Sequence, residues 1–161
     1  MIEMMTYRIT AEADCLRGEL TGRETVEETQ AFLRALVRSK SRHDCSCVLI
    51  VVRRSTPVFQ VAAHRLIELI EFLSGRPACR IALVGDTRDL HMSHEYIELL
   101  ARQTGLNVRS YRDENMALEW LRARRPSGDR RYRQDQRLQD RRRTVERRQE
   151  DRRGGEQFAA T

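Results

Sequence analysis

Two short apolar runs constrain this chain more than anything else in it. CVLIVV at 47–52 holds no polar side chain beyond the thiol of Cys47, and RIALVG at 80–85 repeats the pattern after Arg80. Each is the length of a strand, rich in branched residues and bounded by polar ones. A run that is apolar at every position, with no alternation, reads as a strand buried on both faces. Such strands need cover on both sides, and stretches of helical periodicity lie between and beyond them. Strands alternating with helices argue for an α/β domain whose sheet is mostly parallel, with helical crossovers.

The rest of the order follows from periodicity. Residues 6–21, TYRITAEADCLRGELT, alternate as two strands with a turn near Glu12 to Asp14. Residues 23–38 repeat apolar-face positions Val26, Thr29, Phe32, Leu33, Leu36 and Val37, mostly at spacings of three and four. Thr21 with Glu24 three later fits a capping box, and SKSRHD should break that helix. A second helix is expected over Val58–Leu73, with Val61, Leu66, Leu69, Ile70 and Leu73 as its stripe. A third is expected over Met92–Gln103, with Met92, Tyr96, Leu99 and Leu100 inward and Gly105 ending it. NVRSY at 107–111 reads as an edge strand. Asp113–Arg124 reads as a last helix with Met116, Ala117, Trp120 and Leu121 on one face. The expected order is β-β-α-β-α-β-α-β-α, with a domain over 1–124 and an arginine-rich extension over 125–161. The first strand should be antiparallel or at an edge.

Charge separates the same two parts. The first 121 residues hold 16 basic and 17 acidic side chains, a net of −1; the last 40 hold 14 Arg and 7 acids, a net of +7. The high pI therefore belongs to the tail, and nucleic-acid binding cannot be read from the average. Between Pro126 and Gly155 the only aliphatic residues are Leu138 and Val145, and Tyr132 is the single aromatic, too little apolar surface to offset ordering. The extension is expected as a solvated helix or as disorder. No run approaches about 18 apolar residues. MIEMMTYRI carries no secretory pattern, so a cytoplasmic chain with reduced thiols is the expectation.

The order and four phrases resemble the STAS fold, in particular its SpoIIAA-like (anti-anti-sigma-factor-like) branch. The phrases are GELTGRE at 18–24, CVLIVV at 47–52, RIALVG at 80–85 and VRSYRDENMALEWL at 108–121. The resemblance covers residues 6 to about 124. It implies a non-enzymatic regulatory or partner-binding module, since relatives include anti-anti-sigma factors, transporter-attached domains and proteins proposed to bind lipids or other small apolar ligands. The anti-anti-sigma factors carry a phosphorylatable serine, usually after an aspartate, where the second helix starts. No Asp-Ser pair stands near 58–65 here; Ser55 and Thr56 lie in the corresponding loop without that register. The branch often closes its central strand with Asp-x-Arg, whereas Val51 takes the Asp position if Arg53 takes the Arg.

Candidate chemistry is sparse. Arg53, Arg54, Ser55, Thr56 and Pro57 follow a strand and precede a helix, where parallel sheets present ligand sites. The arginines suit a phosphate or an acidic partner. The plainer reading has Thr56 capping the helix and Pro57 in its first turn. Asp86, or Asp89, with His64, His91 and His94 could be imagined as an acid–base or metal group, although no HExxH occurs. Asp89 or Ser93 more simply caps a helix. His43, Cys45 and Cys47 suggest a metal, yet Cys-x-Cys on an incipient strand sends both thiols to one face, and a fourth ligand is not visible unless Cys79 supplies it. Cys15 has no partner motif. Core cysteines and no metal or cofactor are the expectation. Phe32, Phe59, Phe72, Tyr96 and Trp120 either fill the core or line an apolar cavity.

In the tail, Arg130, Arg131, Arg133, Arg141, Arg142 and Arg143 form clusters able to contact nucleic acid or an anionic membrane nonspecifically. Three function classes follow: a non-enzymatic regulatory or partner-binding module, possible host of a small apolar ligand; a polyanion-binding accessory acting through the tail; and, distantly, a metal-dependent enzyme. Edge strands permit a homodimer without requiring one.

Overall fold

The computed structural model describes residues 4–13, 15–58, 61–75 and 79–123, with 61 and 62 described by backbone alone. The elements are β1 (Thr6–Glu12), β2 (Cys15–Thr21), α1 (Val26–Arg42), β3 (Cys47–Arg53), α2 (Val61–Ser74), β4 (Arg80–Gly85), α3 (Arg88–Gln103), β5 (Val108–Tyr111) and α4 (Glu114–Arg122). The five strands form one sheet in chain order. β1 pairs antiparallel with β2, and β2 to β5 run parallel. This is the expected α/β architecture, with its first strand both antiparallel and at an edge. The arginines singled out in the tail lie outside the described residues.

The apolar runs do what their composition demands. On β3, Val48, Ile50 and Val52 face a core shared with α1, α2 and α3, while Cys47, Leu49 and Val51 face the other way, toward Ala117 and Leu121 of α4. On β4, Ile81 and Leu83 take the first side and Ala82 and Val84 the second. Three helices thus cover one face and α4 the other. Burying each large side chain contributes about 1.5–3 kcal/mol, so these strands anchor the domain. Gly18 of β2 lets α1 come close: a Cβ there would lie 2.8 Å from both Leu36 and Phe32.

Several boundaries differ from expectation, each for a local reason. The capping box on α1 is Thr25 with Glu28, not Thr21 with Glu24. Gly22 turns the chain at φ 72° first, and this carries Arg23 inward before the helix begins. The helix does not break at SKSR. It runs on to Arg42, and Lys40 in its last turn donates to the carbonyls of Leu73 (2.7 Å) and Ser74 (2.8 Å). Those are carbonyls at the C-terminal end of α2, which a cation satisfies well.

α2 starts at Val61 rather than Val58. Val58 is held in non-helical chain by Ser93: its N–H donates to Ser93 Oγ at 3.2 Å, and the serine hydroxyl donates to its carbonyl. Thr56 and Pro57 therefore do not form the helix start. α3 begins at Arg88, four residues earlier than expected, capped by Thr87, whose hydroxyl accepts from the Leu90 N–H at 3.2 Å. Neither Asp89 nor Ser93 is the cap. Its inward face is Leu90, His91, Ser93, His94, Ile97, Leu100 and Ala101. Met92 and Leu99, expected inside, are exposed, and Tyr96 is half-buried. At its far end Gly105 adopts φ 77°, with Gly105 N–H to Arg102 O (3.2 Å) and Leu106 N–H to Ala101 O (2.9 Å). That pair of bonds is a Schellman ending. On α4, Ala117 and Leu121 are buried but Met116 is exposed.

The cysteines do not share a face. Cys45 precedes β3, in a bend where its N–H donates to the His43 carbonyl at 3.0 Å, and joins the three-helix core; Cys47 points to the α4 side. The aromatic residues do not surround one cavity either. Phe72 is exposed, Phe32 sits in the three-helix core, and Trp120 lies on the opposite face. There the guanidinium groups of Arg80 (5.7 Å) and Arg109 (5.4 Å) lie over the Trp120 ring, which also packs beside Tyr111. Phe59 lies outside the described residues. None of the described helices is long and apolar enough to cross a membrane.

Candidate functional site

The loops after β2, β3, β4 and β5 converge at the carboxyl end of the parallel strands, the usual working end of such a sheet. The β3–α2 loop is fastened there from two sides. Arg54, at φ 46°, donates its N–H to Asp86 Oδ2 at 3.0 Å, and the Asp86 N–H reaches back to the Val52 carbonyl at 3.3 Å. Asp86 is thus a brace for a left-handed residue, a conformation that costs a non-glycine side chain energy unless it is held.

The second fastening is Arg23, which the sequence reading did not single out. It is 4 % exposed. Its N–H donates to Ser55 Oγ at 3.1 Å, its carbonyl accepts from the Thr56 N–H at 2.8 Å, and its guanidinium donates to the Thr56 carbonyl and to Thr29 Oγ1, the latter at 3.2 Å. Ser55 also donates its hydroxyl to the Arg53 carbonyl at 2.9 Å. Ser55 and Thr56 are therefore structural partners of Arg23 in this loop. Burial lowers the Arg23 pKa to about 10, so it stays charged at neutral pH. The only outward signal for this residue is its place after a glycine that closes a strand.

Arg53 points to the other face of the sheet. Its guanidinium lies 3.4 Å from Glu114 and 3.9 Å from Glu19, and Arg17 pairs with the same two acids. The Arg17 hydrogen bond holds the Glu19 carboxyl below its usual pKa. The four charges tie β2, β3 and α4 together.

Beside the fastened loop, Gly85, Asp86, Thr87, Arg88, His91 and Arg112 line an open groove of about 520 Å³. Asp86 and His91, both expected as candidates, meet here; Arg88 and Arg112 join them and were not foreseen. His91 is mostly buried, with Nε2 3.1 Å from Glu95. His64 does not line the groove. It packs edge-on against Tyr96, ring centres 6.5 Å apart. His94 is buried on the inward face of α3, and desolvation drops its pKa to about 3, with the nearby Arg23 and His91 adding to the fall. It is neutral at neutral pH. Among the described residues no group of three or more His, Cys, Asp or Glu side chains is arranged to hold a metal ion. The described cysteines form no disulfide. Cys15 sits across the ladder from Cys47, and hydrogen bonding to it, with burial, pushes the Cys15 thiol pKa up.

No family model matches this chain, and no curated protein matches it in sequence. Its fold does match solved structures. One is the crystal structure of an anti-sigma factor antagonist from Mycobacterium paratuberculosis, at TM-score 0.54 and 16% identity, covering 74% of this chain and 96% of that one. The architecture is the STAS, SpoIIAA-like fold, as the four phrases of the sequence implied.

Proposed function

We propose that this protein is a non-enzymatic regulatory module that engages a protein partner at the carboxyl end of its sheet, through the 53–58 loop and the groove of Asp86, Arg88, His91 and Arg112. The observation that supports it is the shared fold with an anti-sigma factor antagonist. The same end of the sheet carries a loop that is held in one shape by Arg23 and Asp86. A pre-shaped loop loses little freedom on docking, which favours recognition. The arginines of the groove suit an acidic surface. Fold alone does not assign function, so the shape of the loop and the charge of the groove stand as a second support.

A photo-crosslinking residue at position 88 tests it against one at position 41, at the end of α1. The reading expects one protein to be captured from position 88 and not from position 41. Equal capture from both, or turnover of a substrate by the purified chain, overturns it.

The charge of the extension favours a second, accessory contact. A net of +7 over the last 40 residues suits a polyanion, with Arg130, Arg131, Arg133, Arg141, Arg142 and Arg143 as its contacts. Filter binding of full-length and truncated chains at two salt concentrations decides it; equal affinities would remove the extension as the cause.

A further inference from the structure

Behind the loop lies a narrow, partly open void of about 30 Å³ bounded by β2, β3, β4 and the three helices that cover them. Most of its wall is aliphatic, from residues such as Leu33, Leu66 and Ile97. Four wall residues are not: Thr29 and Phe32, and two that can carry charge. Arg23 and His94 both line it, at 4 % and 3 % exposure. Each carries a buried nitrogen without a hydrogen-bond partner, Nε of Arg23 and Nδ1 of His94. An unpaired buried polar group costs about 1–3 kcal/mol, and more when it is charged. Two such groups on the wall of one void point to something held between them.

The charge balance says what kind of thing. The guanidinium of Arg23 donates only to neutral oxygens, the Thr29 hydroxyl and the Thr56 carbonyl. The acid that favours its charged form, Glu28, acts through space from the capping box at the helix start. A buried cation with no carboxylate in contact is ordinarily compensated by an anion. The size limits that anion. A void on this scale admits a water or an ion of similar radius, since one water needs about 10–15 Å³ on the same measure. No acyl chain or nucleotide fits.

We propose that this void is a binding site for a single halide-sized anion, held by the Arg23 Nε–H and by His94 in the tautomer that places a proton on Nδ1. The anion neutralises the guanidinium and satisfies both orphaned nitrogens at once. Because that guanidinium also carries the Thr56 carbonyl, the anion fixes the 53–58 loop from within. Water would satisfy the geometry but leave the charge uncompensated.

The test uses the full-length chain. Crystals equilibrated with sodium bromide should give one anomalous peak at the bromine edge inside the void, within hydrogen-bond reach of Arg23 Nε. In parallel, the unfolding constant is compared in sodium chloride and in sodium gluconate at equal ionic strength. Gluconate is too large to enter. At a chloride concentration ten times its dissociation constant, the unfolding constant should fall about elevenfold relative to gluconate. An Arg23→Gln chain, if it folds, should lose that difference; if it does not fold, the two wild-type measurements still decide. Density at the site without anomalous signal means water, and overturns the proposal, as do equal unfolding constants in the two salts.

Discussion

At Gly85 the end of β4 and the start of α3 come so close that a Cβ would lie 2.7 Å from Leu90 Cβ and 3.3 Å from the His91 nitrogen. The atoms it would meet are backbone, or fixed directly to it, and cannot swing aside. At Gly18 the clashing atoms are the ends of Leu36 and Phe32, which can rotate. Gly85→Ala should therefore destabilise by about 2–3 kcal/mol and Gly18→Ala by less, about 1 kcal/mol, measured by urea unfolding. His94 gives the pH dependence its sign. In the fold its pKa is about 3, against 6.5 for the free side chain. Below about pH 6.5 the unfolded chain takes up a proton that the folded one refuses, so this contribution is full above that pH and is lost as pH falls. The slope should approach about 1.4 kcal/mol per pH unit between pH about 6 and about 4. His94→Gln should flatten it, read from unfolding free energies across that range. None of this was visible in the sequence. An arginine and a histidine read as surface residues unless a partner is known, and Arg23 and His94 meet only once α1 and α3 have packed on one sheet.

Among the elements, the strands were legible and some helix faces were not. CVLIVV, and RIALVG after its Arg80, leave no choice of face, because every position is apolar. α3 offered a choice. Met92, Tyr96 and Leu99 form one apolar stripe, and Leu90, Ile97, Leu100 and Ala101 another interrupted by Ser93 and two histidines. A helix starting at Met92 leaves Leu90 out, and the first stripe, with Leu100, was the expected inward face. The second is inside because Ser93 answers both backbone groups of Val58, a partner that periodicity cannot show. The reach of Lys40 is of the same kind. Its ammonium satisfies two carbonyls at the end of α2, so Lys40→Met should cost about 1–2 kcal/mol. Lys40→Arg should recover part of that, and thermal melts of the two variants check it. Hydrogen exchange at the last turn of α2 should quicken in Lys40→Met and leave β3 unchanged.

For the molecule as a whole, the charge split and the end of the last described helix fall close together, near residue 122. We propose that the domain ends there. A chain stopped after Ala123 should unfold at the same urea midpoint and with a similar slope as residues 1–161, since the two apolar cores formed by the described residues lie before it. A fall in midpoint of the shortened chain would move the boundary. The candidate site was legible only in part at this scale. Its position at the carboxyl end of the strands follows from topology, and Arg54, Asp86 and His91 were found there. Arg88, at the start of α3, and Arg112, just after β5, approach one another only when β4 and β5 lie side by side.

The bond from Arg23 to Thr56 joins a surface loop to a charged group in the interior. Substitutions that reshape the loop will also alter how much folded protein a cell accumulates, and those chosen for sturdiness will alter what the loop can recognise. Variation at this end of the molecule should therefore arrive as paired changes, one outside and one within.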